Sequence, residues 1–278
     1  MRPLPCLLCA LLIALAGALP ARADMRELPV IIPGPEGLAL RALLLLPEGE
    51  APRPPAVLGL HGCAGLFRPD GQLFARYRDW GRRITALGHA LLLPDSFGSR
   101  GLGGQCSERE RAVRASVERR ADAVAAARWL AQQSFAGGKP VVAIGWSNGA
   151  STLLWTALRP EPGLPVARFA AFYPGCAPLL RARLGPPAGP LLILIGEADD
   201  WTPAEPCRSL AELWPDAIVL RSYPGAVHGF DDPATPSRLR RGLAFTARGD
   251  GTAHVGTDPE ARADAIRLVP GFLGLGGD

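Results

Sequence analysis

From residue 25 onward, short apolar runs alternate with longer stretches in which apolar residues recur every three or four positions. The runs at 28–32 and 38–46 predict two opening strands, with Pro33, Gly34 and Pro35 supplying the turn between them. The proline-rich segment 47–55 is a loop, and 56–60 is a short buried strand ending at His61-Gly62. Over 72–87 the residues Phe74, Tyr77, Trp80 and Ile84 share one helical face, and Gly88 stops the helix. Strands are predicted at 90–93, 141–144, 169–173, 191–195 and 218–222. Helices are predicted at 148–158, 204–213 and 259–268. Ser107 with Glu110 three residues on reads as a capping box, which opens a helix running to about 133. The glycine-rich run 98–104 is a loop.

Alternation of this kind predicts an α/β fold: a mainly parallel sheet of about eight strands flanked by helices. No repeat and no break in composition divides residues 24–278, which read as one domain. In such sheets ligands bind beyond the carboxyl ends of the strands, so the residues after each strand matter most.

One post-strand turn carries chemistry. Gly145-Trp146-Ser147-Asn148-Gly149 has the form G-x-S-x-G between an apolar strand and a helix. A turn this tight demands small residues two before and two after the serine, and it lifts the hydroxyl clear of the sheet beside a helix N-terminus. Ser147 is the candidate nucleophile. A serine hydroxyl needs a base, and in chains built on this turn the order is serine, acid, histidine. Of the four histidines, that order excludes His61 and His89. His228 lies in a loop just after the strand at 218–222, whereas His254 lies in a polar run and reads as a solvent-exposed loop residue. Asp199, Asp200 and Glu197 follow the strand at 191–195 as candidate acids. One aspartate would face the histidine while its neighbour caps the following turn. The oxyanion hole would use the amides of Asn148 and, in the loop after the third strand, Cys63. Phe97, Trp146, Trp201 and Phe230 flank these positions and either line a substrate pocket or belong to the core. Arg100 reads as a solvated loop arginine.

The N-terminus has the form of an export leader. Arg2 precedes the apolar stretch 7–19, and Ala21-Arg22-Ala23 fits a cleavage site after residue 23. The stretch is short for a membrane span, and no later segment reaches that length. With Cys6 and Cys9 removed, Cys63, Cys106, Cys176 and Cys207 remain. An even number in an oxidising periplasmic or secreted setting suggests two disulfides, with three possible pairings. Cys106, in the next post-strand loop, is the natural partner for Cys63. None has metal-type spacing, and the chemistry calls for no metal or organic cofactor. Net charge is +4, and removing Arg2 and Arg22 leaves +2. No basic cluster is interleaved with aromatics, so nucleic acid is not an implied partner. Arginines from 109 to 120 alternate with glutamates and read as a solvated helix face. Nothing in the sequence speaks to oligomeric state.

Taken together, the chain resembles the dienelactone hydrolase family of the α/β-hydrolase superfamily over roughly residues 38–272. The resemblance rests on Leu60-His61-Gly62-Cys63-Ala64-Gly65, Tyr77-Arg78-Asp79-Trp80 and Leu93-Pro94-Asp95-Ser96-Phe97-Gly98. It rests also on the serine turn, on the run from Gly196 to Pro203 and on Tyr223-Pro224-Gly225-Ala226-Val227-His228-Gly229-Phe230. The family pattern puts the acid three residues after the glycine and four before the proline, which implies Asp199, and puts the histidine at 228. The founding enzymes use a cysteine nucleophile where this chain has Ser147. With serine in that place, the resemblance implies a general hydrolase of small-molecule carboxylic esters, with a peptidase, thioesterase or lactonase, or a non-catalytic binding protein on the same fold, as the alternatives.

Overall fold

The structure is a computed structural model and describes residues 25–49 and 51–276. The leader assigned to residues 1–23 lies outside the described residues.

Two proline-bounded apolar runs pair first. Strand β1 (Met25–Pro33) lies antiparallel to β2 (Ala39–Pro47), and β2 lies antiparallel to β4 (Leu91–Pro94). The short strand β3 (Val57–Leu60) then runs parallel to β4 and to β5 (Val141–Trp146). Strands β6 (Val166–Phe172), β7 (Leu191–Gly196) and β8 (Ile218–Tyr223) continue in parallel, giving the eight-stranded order β1-β2-β4-β3-β5-β6-β7-β8. Every residue of β3, β4, β5 and β7 is buried. That follows from their composition: continuous aliphatic strands need cover on both faces, and crossover helices supply it.

The helices are α1 (Ala75–Ala86), α2 (Glu118–Ala131), α3 (Asn148–Leu158), α4 (Ala177–Ala182), α5 (Ala204–Leu213) and α6 (Pro259–Leu273). Tyr77, Trp80 and Ile84 bury the face of α1 that their spacing predicts, and Phe74 sits at its N-cap. Helix α6 starts where Asp258 accepts the amides of Glu260 and Ala261, with Pro259 at the first position. A small hairpin of β9 (Arg238–Arg240) and β10 (Ala253–Val255) lies outside the main sheet and was not anticipated.

The helix expected from Ser107 does not begin there. Ser107 turns its hydroxyl to Glu108, and α2 starts at Glu118, whose carboxylate accepts the amide and the guanidinium of Arg114. Residues 107–110 are all exposed and offer no apolar face to pack, so the capping pair has no helix to serve. Arg119 also departs from the solvated face expected of its segment: it is 1% exposed. Arg100 is not merely solvated, because it forms a two-pronged pair with the buried Asp122.

Candidate active site

Strand β5 delivers Ser147 into a turn with φ 53° and ψ −118°, a conformation that non-glycine residues rarely hold. Its surroundings fix the turn. A Cβ on Gly149 would lie 2.1 Å from the Leu60 carbonyl oxygen, and one on Gly145 would lie 2.8 Å from the Gly149 carbonyl oxygen. Helix α3 begins at the next residue, so Ser147 sits at its positive end.

The loop after β8 brings in His228, which is 5% exposed. Its Nε2 lies 3.0 Å from Ser147 Oγ, and its Nδ1 lies 2.8 Å from Asp199 Oδ2. Nδ1–H donating to the carboxylate leaves Nε2 free to accept from the hydroxyl. Asp199 comes from the loop after β7, which is tied to the histidine loop by amides of Glu197 and Ala198 donating to the carbonyls of Tyr223 and Ala226. A Cβ at Gly196 would lie 2.1 Å from the Ala226 oxygen, so the close approach of these two loops needs glycine.

The division of labour between the aspartates differs from the expected one. Asp199 both faces His228 and caps the turn, accepting the amides of Trp201 and Thr202 on Oδ1. Asp200 instead accepts the amide and Nδ1 of His254 at 2.7 and 2.9 Å. Burial alone would raise the Asp200 carboxyl, but these hydrogen bonds hold it below the usual carboxylate range. His254 is solvent-exposed, as expected, but belongs to β10 and pairs with Asp200 rather than lying free in a loop. Glu197 points to Arg208, away from the histidine.

The Cys63–Cys106 and Cys176–Cys207 disulfides are both formed. Among the described residues, the amides of Cys63 and Asn148 donate to no protein acceptor. Both residues, with Ser147, border a cavity of about 1010 Å³ whose walls include Trp155, Trp201 and Phe245. Trp201 is the one flanking aromatic that reaches this cavity, and its ring centroid is 4.7 Å from that of His228. Phe97, Trp146 and Phe230 do not line it. Phe97 packs on His61 and is 1% exposed, whereas Trp146 and Phe230 are fully buried around Phe172. Trp146 and Phe230 belong to the main core, and Phe97 packs against Arg119 as well as His61.

Several neighbours escaped the sequence reading. Thr202 Oγ1 lies 2.9 Å from Asp199 Oδ2 and 3.1 Å from His228 Nδ1, so a hydroxyl braces the carboxylate. Asp231 is 1% exposed and accepts the indole N–H groups of Trp80 and Trp146, the hydroxyl of Tyr173 and Nε of Arg76. Burial pushes the Tyr173 hydroxyl well up, which keeps it a donor. The available signal was an acid placed directly after Phe230, where an unpartnered charge could not be buried. His61 is fully buried, and burial followed by the nearby Arg119 charge lowers it well below an ordinary histidine.

A mainly parallel sheet with an antiparallel start, and a strained serine between β5 and α3 facing a histidine from the loop after the last parallel strand, define the α/β-hydrolase class. The comparisons narrow it. The family model described as "Dienelactone hydrolase family" matches residues 40–274. The chain belongs to the dienelactone hydrolase family and is a hydrolase of ester bonds. A search of curated proteins finds no match. Among solved structures, the chain is similar to a dienelactone hydrolase from Anabaena variabilis, at 20% identity and TM-score 0.61, covering 90% of this chain and 97% of that one. It is similar to Thermogutta terrifontis esterase 2 phosphorylated by paraoxon, at 20% identity and TM-score 0.62, covering 89% and 93%. It is similar also to a dienelactone hydrolase-like promiscuous phosphotriesterase from metagenomic libraries, at 19% identity and TM-score 0.60, covering 91% and 98%.

Proposed function

We propose that residues 24–278 form one catalytic domain that cleaves small-molecule carboxylic esters through a Ser147-His228-Asp199 triad and an acyl-enzyme. The observation that carries this reading is the unbroken line of contacts, 3.0 Å from Ser147 Oγ to Nε2 and 2.8 Å from Nδ1 to Asp199. Ser147 Oγ bonds to the ester carbonyl carbon as its proton passes to Nε2. The carbonyl oxygen becomes an oxyanion, received by the free amides of Cys63 and Asn148. Collapse breaks the carbon–oxygen bond to the alcohol, which leaves with the proton held by His228. Water then attacks the acyl-enzyme, gives its proton to Nε2 and releases the acid as Ser147 regains its hydrogen. Asp199 keeps the imidazole in the required tautomer and supports its charged form.

Export belongs to the same reading. Removal of residues 1–23 and delivery to a periplasmic or extracellular space suit the two disulfides, which persist in oxidising compartments.

The test is a panel of aryl and alkyl esters run beside covalent labelling by a fluorophosphonate. Ser147→Ala should lose both turnover and label. A Ser147→Ala protein with near-parental turnover would overturn the assignment. An unlabelled, inactive parent would point to a binding protein on this fold.

A further inference from the structure

We propose that Arg119, in the first turn of α2, is a positioning residue that clamps the two backbone segments of the oxyanion hole and places a fixed positive charge behind them. This rests on the reading of Ser147 as nucleophile. Nη1 donates to Asn148 Oδ1 at 2.5 Å, and Nη2 donates to the His61 carbonyl at 2.7 Å. Asn148 directly follows the nucleophile, and His61 lies two residues before Cys63. One planar group therefore bridges the two segments whose amides would receive the oxyanion.

The charge is as informative as the contacts. Arg119 is 1% exposed, and its Nε has no hydrogen-bond partner among the described residues. No carboxylate lies within ion-pair distance of it among the described residues: Asp122 is taken by Arg100, and Asp95 accepts the Gly98 amide. Two neutral oxygens and the Phe97 ring, 4.9 Å away, are its close company. A buried cation without a counter-charge is costly in the resting protein. It becomes favourable when negative charge develops nearby. Interactions that strengthen only in the transition state raise kcat rather than lower KM. Burial drops the Arg119 guanidinium to about 10, which leaves it charged at neutral pH.

The experiment compares Arg119→Met, Arg119→Lys and Asn148→Ala with the parent on a p-nitrophenyl ester. Binding of an aryl trifluoromethyl ketone, which forms a tetrahedral adduct with a serine, is measured alongside. Asn148→Ala keeps the amide and removes only what Arg119 grips. We expect kcat to fall about tenfold to a hundredfold in Arg119→Met, with KM within about twofold and ketone affinity falling by the same factor as kcat. Arg119→Lys should recover part of the loss. Asn148→Ala should fall in the same direction, and the Arg119→Met/Asn148→Ala protein should be little worse than Arg119→Met alone. A folded Arg119→Met protein within about threefold of the parent in kcat and ketone affinity would overturn the role. If Arg119→Met does not fold, parental values in Asn148→Ala overturn it equally. An active, labelled parent with unaffected variants ends the Arg119 role alone. A parent that neither turns over esters nor binds the ketone ends the esterase reading and this role together.

Discussion

The Tyr173 hydroxyl lies 2.6 Å from Oδ1 of Asp231, while the Tyr173 ring stands 4.6 Å from the ring of His228. A buried carboxylate beneath the sheet end is thereby linked, through one aromatic ring, to the base above it. Because Asp231 also accepts from Trp80, Trp146 and Arg76, replacing it leaves several buried donors facing one another. Asp231→Asn should lose about 3 kcal/mol or more of stability in urea unfolding, and kcat should drop with it. Tyr173→Phe, which removes one donor only, should cost about 1–2 kcal/mol.

Thr202 offers a finer test of the carboxylate. Thr202→Val keeps the volume and deletes the hydroxyl that donates to Asp199. Ester kcat should fall about tenfold with KM little changed, since a hydrogen bond to a charged group is lost where imidazolium charge must be supported. Thr202→Ser should stay near the parent.

The disulfides close loops with sequence separations of 43 and 31 residues. By the chain-entropy relation each restrains the unfolded chain by about 4 kcal/mol. Mass mapping of a non-reduced digest should recover Cys63 with Cys106 and Cys176 with Cys207. Reduction should lower Tm, and Cys106→Ala should also lower kcat, because Cys63 carries one of the free amides at the cavity.

His61 gives a pH signature in stability. An ordinary histidine has a pKa near 6.5, and burial lowers that of His61 in the folded protein. Below 6.5 the unfolded chain takes up a proton that the folded chain refuses. Stability is therefore full above that pH and erodes as pH falls toward the folded value, by up to about 1.4 kcal/mol per unit. Urea titrations from pH 7.5 to 5 should show this slope, and His61→Gln should flatten it.

Gly149→Ala should fail more severely than a typical helix substitution. Its Cβ would meet backbone, the Leu60 oxygen at 2.1 Å, with no flexible side chain to yield. A loss of about 3 kcal/mol, seen as a lowered urea midpoint, is expected.

How much of this was legible in the sequence depended on whether the signal was local. The runs 141–144, 191–195 and 218–222 and the helix Ala204–Leu213 lie where their patterns put them, because aliphatic continuity and helical spacing act over a few residues. Ser147, His228 and Asp199 follow strands whose order fixes where they meet. The segment from Ser107 misled because a cap and alternating charges cannot nucleate a helix without an apolar face. Trp146 adjoins the site along the chain yet points into the core, since it directly precedes Ser147 on the strand and faces the opposite way; Phe97 and Phe230 are buried against His61 and Phe172. Arg119, Asp231 and Thr202 have long-range partners 26 to 155 residues away, and no local pattern records such pairings.

The carbonyl of His228 accepts the amide of Gly256, beyond the outlying hairpin, and the main sheet is complete before either residue is reached. The scaffold can thus assemble while the imidazole still lacks its final strap. The working end of the molecule would be armed last, only when the segment beyond the sheet has folded back onto it.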